Sequence, residues 1–252
     1  MYLQPFDSHT APTDADVDEL ALTPATYDLV CSRTRKGRAV APATRAQHAI
    51  RLLVLLSVAG EPVTTPPDPI EAVLAIRSER RLQALDFWLR NPDYLADELV
   101  SGVVAGNFEF SLLADADEML NSKEPSLRHC PMPRWFYGAY EPIDDAMSLL
   151  EAHGLAIPAR IGMPGNVRQT QFFLTAAGQR AGAEIAAEPG PLQWYTRQAR
   201  FVALVAGNDS GSRLKDRQYQ QAEYAGTELG STIGSIHAQV RVRLREAQEN
   251  VA

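Results

Sequence analysis

Cysteine is scarce in this chain: Cys31 and Cys130 are the only two among 252 residues. Two thiols with no ligand spacing around them offer no disulfide framework and fit a reducing, cytoplasmic setting. Histidine is scarce as well. The five, His9, His48, His129, His153 and His237, form no HExxH and no ligand-spaced cluster, so no metal is expected. No apolar run approaches the roughly 18 residues of a membrane-spanning helix. The run Leu52–Val58 is far too short. The opening residues, MYLQPFDSHTAPTDADVDE, lack a basic region followed by an apolar stretch, so no secretory signal is expected. Excess positive charge is also missing, since the formal net charge is −7. A dedicated non-specific DNA binder is usually basic. Charge can still be segregated, and here it is. Residues Asp7 to Asp28 are acidic; Arg33, Arg35, Lys36, Arg38, Arg45 and Arg51 follow with no acid among them.

What the chain does have is apolar content, 45%, enough for one sizeable core or two small ones. Residues 1–42 are polar, then basic, and are expected to form a flexible arm. A helical unit is expected over 43–105. In it, TRAQHAIRLLVLLSVAG reads as a buried helix stopped at Gly60, and Pro62, Pro66 and Pro67 as a rigid connector. Asp68-Pro69-Ile70-Glu71 reads as a helix start, with the helix running on through Arg90. Asn91-Pro92 separates it from the next helix, DYLADELVSG. A further helix is expected over Phe108 to Leu120, and an irregular aromatic stretch around Trp135, Phe136 and Tyr137.

Residues 106–190 contain the most informative pattern. Met147, Leu149 and Leu150 lie at helical spacing, and Gly154 sits where a left-handed C-cap is wanted. Pro164-Gly165-Asn166 is turn chemistry between two short alternating strands that carry Ile157, Arg160, Gln169, Gln171 and Phe173. Thr175 is placed to cap the next helix. Helix, hairpin and helix in this order resemble the last helix, wing and following helix of a winged-helix domain. A helix–hairpin–helix piece of an unrelated α+β fold is the plainer alternative. Residues 191–252 are expected to add a helix from Leu192 to Val205, the loop GNDSGS, and one long helix from Arg213 to Glu246. The expected class is therefore mainly α, with a winged helix and a long C-terminal helix.

The last helix would line up Ala222, Gly226, Gly230, Gly234 and Ala238 every four residues. Glycine in a helix interior costs about 1 kcal/mol relative to alanine, so such a stripe calls for close approach by another helix. Leu229, Ile233, Ile236, Val240 and Leu244 would form an apolar seam beside it. The helix then either packs on its own chain or forms a homodimer.

Catalytic chemistry is weakly signalled, and neither a catalytic residue nor a cofactor is expected. Adjacent His129 and Cys130 point apart. GNDSGS lacks the lysine and spacing of a P-loop; an anion at the next helix N-terminus, helped by Arg213 and Lys215, competes with a plain loop. Asp144 and Asp145 suit the first turn of their helix. Arg77, Arg80 and Arg81 read as a solvated basic edge. In a DNA-reading winged helix the helix before the wing enters the major groove. Here it spans Pro142 to His153 and carries Asp144, Asp145 and Glu151, with Glu141 just before it and no Lys or Arg. Carboxylates against phosphates are unfavourable. The DNA-contact candidates are thus Arg160, Arg168, Gln169 and Gln171 of the wing and Arg33, Arg35, Lys36 and Arg38 of the arm. The partner-binding candidates are Asp144, Asp145 and Glu151, with Gly226, Gly230 and Gly234.

Four segments in order carry a more specific resemblance: RSERRLQALDFWLRNPDYL, PRWFYGAYEPIDDAMSLLEAHGLA, FFLTAAGQRAGAEIA and GNDSGSRLKDRQY. Over roughly residues 48 to 220 they resemble the winged-helix middle components of bacterial ABC-three-component systems. This implies an adaptor encoded with an SMC-like ATPase and an effector in an antiviral defence or conflict system. It carries over no catalytic residue. The chain departs from the pattern in having Gly138-Ala139 where the family has Gly-Pro. The alternative is a DNA-binding, helix-turn-helix type transcriptional regulator.

Overall fold

The computed structural model describes residues 44–67, 70–121, 132–161 and 169–250. The arm with Arg33, Arg35, Lys36 and Arg38 lies outside the described residues. So do Cys31, Asp68-Pro69, His129-Cys130, Pro164-Gly165-Asn166 and Arg168.

Helix α1, Arg45–Ala59, is the central element. Thr44 caps it in a reciprocal capping box with Gln47, which satisfies orphan amides that would otherwise face solvent. Ala49 and Leu52 through Leu56 are all buried, so the helix is apolar nearly all round. It packs against the later helices α5 (Asp144–Ala152), α6 (Ala176–Ala187) and α7 (Pro191–Ala206).

The helix expected to start at Asp68 starts later. Leu74–Ile76 is strand β2, and helix α2 covers Glu79–Arg90, with the Ser78 side chain accepting from the Arg81 amide. Tertiary pairing overrides the local start signal. β2 pairs antiparallel with β6 (Gln169–Leu174), and the Val73 amide donates to the Leu174 carbonyl at 2.8 Å. Strands β1 (Glu61–Pro62) and β5 (Ala156–Ile161) complete an antiparallel sheet of order β1-β2-β6-β5. Helices α3 (Pro92–Val104) and α4 (Leu112–Asn121) follow α2, and then the two-stranded hairpin β3 (Arg134–Trp135) and β4 (Gly138–Ala139).

The expected hairpin β5–β6 is present, in register from Ala156↔Leu174 to Ile161↔Gln169. Its flanks form as the local chemistry requires. Gly154 is left-handed at φ 65°, and the Thr175 hydroxyl accepts the Gly178 amide at 3.0 Å. Helix α6 then presses two glycines on its neighbours. A Cβ on Gly178 would lie 2.0 Å from the Leu155 carbonyl oxygen; one on Gly182 would lie 2.1 Å from the Ser57 Oγ. Backbone yields less readily than a side chain. Gly178→Ala is therefore expected to cost about 1–3 kcal/mol, the range for overpacking, and Gly182→Ala less. Urea denaturation of both variants checks the order.

The long C-terminal helix is not formed. The chain breaks into α8 (Gly211–Tyr219), α9 (Ala222–Gly226) and α10 (His237–Glu249). Residues between α9 and α10 give their backbone bonds to the β3 segment instead. The Gly230 amide donates to the Arg134 carbonyl at 2.8 Å and the Arg134 amide to the Ser231 carbonyl at 2.9 Å. Gly226 ends a short helix, Gly230 turns at φ 79° beside Trp135, and Gly234 faces the Glu223 side chain. The glycine stripe therefore does not exist as a helix face, and the dimer contact drawn from it has no structural basis. Of the expected seam, Ile233, Ile236, Val240 and Leu244 are buried, but Leu229 is exposed.

One continuous buried cluster runs from Ala49 to Ala247, across the expected boundaries at 105/106 and 190/191. Phe87, Tyr94, Tyr219 and Tyr224 meet in it edge-on, with ring centroids 4.9–5.1 Å apart along the Tyr94–Phe87–Tyr224–Tyr219 chain. Such pairs add about 0.5–1.5 kcal/mol each beyond area burial.

Candidate functional site: an acidic helix on a clamped segment

Helix α5 precedes the hairpin and presents Asp144, Asp145 and Glu151 to solvent, while Ala146, Met147 and Leu150 face inward. Asp145 makes one long ion pair with Arg45 at 3.7 Å. Asp144 also faces Glu79 at the start of α2. Burial, then the nearby Asp144 charge, push the Glu79 carboxyl above its ordinary range. Burial and the same two carboxylates push the Tyr140 phenol up to about 12. Two exposed carboxylates, Asp144 and Asp145, thus stand at this end of α5, the second of them against Arg45.

Glu141 does not belong to that surface. It is 1% exposed and lies in a buried charge cluster. The Arg51 Nη2 donates to its Oε2 at 2.8 Å, Arg90 donates to the same oxygen, and the His48 Nε2 is 3.1 Å from its Oε1. Arg51 also reaches Asp86, with Nε 2.5 Å from Oδ1. Arg51 is therefore not part of a basic surface block. Burial alone raises the Asp86 carboxyl, but Arg51 and Arg90 overcome it and hold Asp86 below the ordinary carboxylate range. Burial, aided by Arg51, pushes the His48 imidazole down. The folded protein then resists a proton that the unfolded chain accepts below pH about 6.5. Stability carried by His48 is full above that pH and is lost as pH falls through the lower folded value. His48→Gln is expected to flatten this part of the acid limb, and an unchanged slope in pH-dependent melting contradicts it.

Between β3 and α5 the backbone groups of Ala139 and Glu141 are held by side chains from other elements. The Gln83 side chain brackets the Glu141 backbone, donating to its carbonyl at 2.7 Å and accepting its amide at 3.1 Å. The Lys215 Nζ donates to the Ala139 carbonyl at 2.7 Å, and the Ala139 amide donates to the Tyr224 hydroxyl at 2.6 Å. Gly138 adopts φ 98°, and a Cβ there would lie 2.3 Å from that hydroxyl. A proline at position 139 would have no N–H to donate to the Tyr224 hydroxyl. Burial, then the charge of Arg80, lower the Lys215 ammonium to about 7. Lys215 is thus turned away from the loop before α8, where Ser210 caps the helix and Arg213 pairs with Asp209.

The DNA-contact candidates on the hairpin are not brought together. Arg160 is exposed and pairs in register with Thr170, so it faces the side opposite Gln169 and Gln171. Nor do Arg77, Arg80 and Arg81 form one basic edge. Arg77 pairs with Glu61, Arg80 stacks on Tyr137, and Arg81 is buried with Nη2 donating to the Gly207 carbonyl at 2.8 Å. Asp86 and Arg90 were the signal available in the sequence for the buried cluster. They are an acid and a base one helical turn apart inside the apolar run LDFWLR.

Among the described residues no group of three His, Cys, Asp or Glu is arranged to hold a metal, and no helix is long and apolar enough to cross a membrane. In comparisons with protein-family models, curated proteins and solved structures, no match to this chain was found.

Proposed function

We propose that this chain is a non-enzymatic winged-helix adaptor that couples an SMC-like or ABC-type ATPase to an effector in a bacterial defence or conflict system. The observation that carries the coupling role is the exposed acidic face of α5, with Asp144, Asp145 and Glu151 and no Lys or Arg of its own. Acidic surface of this kind complements a basic patch on a protein and repels phosphate. The winged-helix part is supported by element order. Helix α1, strand β2, helix α2, helix α5 and hairpin β5–β6 follow one another, and β2 bonds to β6 rather than to β5. Among the described residues between α2 and α5, helices α3 and α4 and the β3–β4 hairpin form an additional segment. The clamps on Gly138–Glu141 support a rigid presentation of the acidic helix.

Pull-down of the tagged full chain with the products of its neighbouring genes, with and without DNA and at two salt concentrations, tests the proposal. Capture of an ATPase or effector without DNA is expected, and it should be lost in Asp144→Lys/Glu151→Lys. Capture of DNA alone, weakening steeply with salt, replaces the adaptor by the DNA-binding regulator and points to Arg160 or the arm.

A further inference from the structure

An apolar groove of about 400 Å³ opens between α1, α5 and α6. Ile50, Leu53, Leu149, Leu150, Leu155 and Ile185 line it. Its long walls have helical periodicity. Helix α1 contributes Ala46, Ala49, Ile50 and Leu53, and α6 contributes Ala181, Glu184, Ile185 and Glu188. Each set spans about two turns, roughly 10 Å of wall. A two- to three-turn helix fits such a length, and helices dock in grooves of this kind through anchors at the same spacing.

The rim specifies the charge of the occupant. Glu184 and Glu188 line the groove and are exposed at its α6 edge. His153 lies at the far end of the α5 wall. On these three elements the exposed cations are Arg45, already paired with Asp145, and Arg180, one turn before Glu184. Two carboxylates beside an apolar floor, with Asp145 and Arg45 paired to each other, select an apolar stripe flanked by positive charge.

We propose that this groove is the docking site for a basic amphipathic helix of a protein partner. The inference rests on the adaptor reading, and it names a surface distinct from the outward-facing Asp144 and Glu151.

The test uses the full chain and a fluorescein-labelled peptide with leucines at helical spacing and flanking lysines. A second peptide keeps the leucines and replaces the lysines by aspartates. Anisotropy is expected to show binding of the lysine peptide only. Glu184→Lys/Glu188→Lys is expected to weaken it about tenfold or more. Ala46→Trp, at an exposed position on the groove wall, is expected to block it. Thermal melts check that both variants fold.

Equal binding of the two peptides, or lysine-peptide binding unchanged by either variant, overturns the proposal. Binding that emerges only in Arg33→Glu/Arg35→Glu/Lys36→Glu/Arg38→Glu also overturns it, making the arm the occupant. A groove variant that alters sedimentation of the peptide-free protein makes the occupant a second copy, with the same consequence. The two readings separate in pull-down. A native partner captured equally by wild type and Glu184→Lys/Glu188→Lys sinks the groove and leaves the adaptor. Peptide binding that obeys the variants, with no native partner captured, supports the groove and sinks the adaptor.

Discussion

Glu141→Ala is expected to destabilise the protein by about 3–5 kcal/mol, the range for breaking a buried ion pair from one side. Arg51, Asp86, Arg90 and Glu141 are all buried, so these charges stabilise one another with little help from water. Removing the Glu141 carboxylate deletes the oxygen shared by the buried guanidiniums of Arg51 and Arg90. For a chain of this size about 2–4 °C of melting temperature accompanies each kcal/mol, so a drop of about 10 °C is expected. Glu151→Ala, on the exposed face of the adjoining helix, is expected to stay within about 0.5 kcal/mol. The contrast separates loss of charge from loss of burial. Because Glu141 leads directly into α5, hydrogen exchange of the Asp144–Ala152 amides should also quicken in Glu141→Ala. A loss under about 1 kcal/mol in urea denaturation would mean that water already screens the cluster.

Lys215→Met is expected to stabilise the protein at pH 7. Burial and Arg80 lower the ammonium from 10.5 to about 7. That difference of about 3.5 units, at about 1.36 kcal/mol each, corresponds to about 5 kcal/mol of folding free energy opposed at low pH. The sign follows from proton counts. Between about pH 7 and 10.5 the unfolded chain binds the proton that the folded chain sheds, so stability rises with pH there. It is complete above the unfolded value and is lost as pH falls through about 7. Methionine removes this dependence but leaves the Ala139 carbonyl without the Lys215 donor, a loss of about 1–2 kcal/mol. A net gain of about 2–4 kcal/mol at pH 7 remains. Wild type should gain stability from about pH 7 to 9.5, and Lys215→Met should be nearly flat over that window. Parallel slopes for the two proteins would show that the ammonium is solvated in the folded state.

Local signals located the hairpin and its flanks correctly. Gly154, the two paired strands and Thr175 act within a few residues of one another, although burial along β6 rises toward Leu174 instead of alternating. The start at Asp68 was misleading for the opposite reason. The fate of Leu74–Ile76 depends on β6, almost a hundred residues away, and a strand edge leaves no mark in its own neighbourhood. The acidic face of α5 was legible because exposed charge needs no partner. Glu141 reads the same way in sequence, yet it is buried against residues from two distant helices.

Local chemistry specifies a mainly helical chain, a buried α1, a hairpin between two capped helices and an acidic helix before it. These follow from apolar periodicity, capping chemistry and composition, which act over one or two turns. Tertiary structure alone decided the break-up of the C-terminal segment, where backbone bonds to Arg134 replace helical ones. It also decided which charges are surface and which are core. Burial of an ion depends on counter-charges that the fold brings together, and sequence separation hides them.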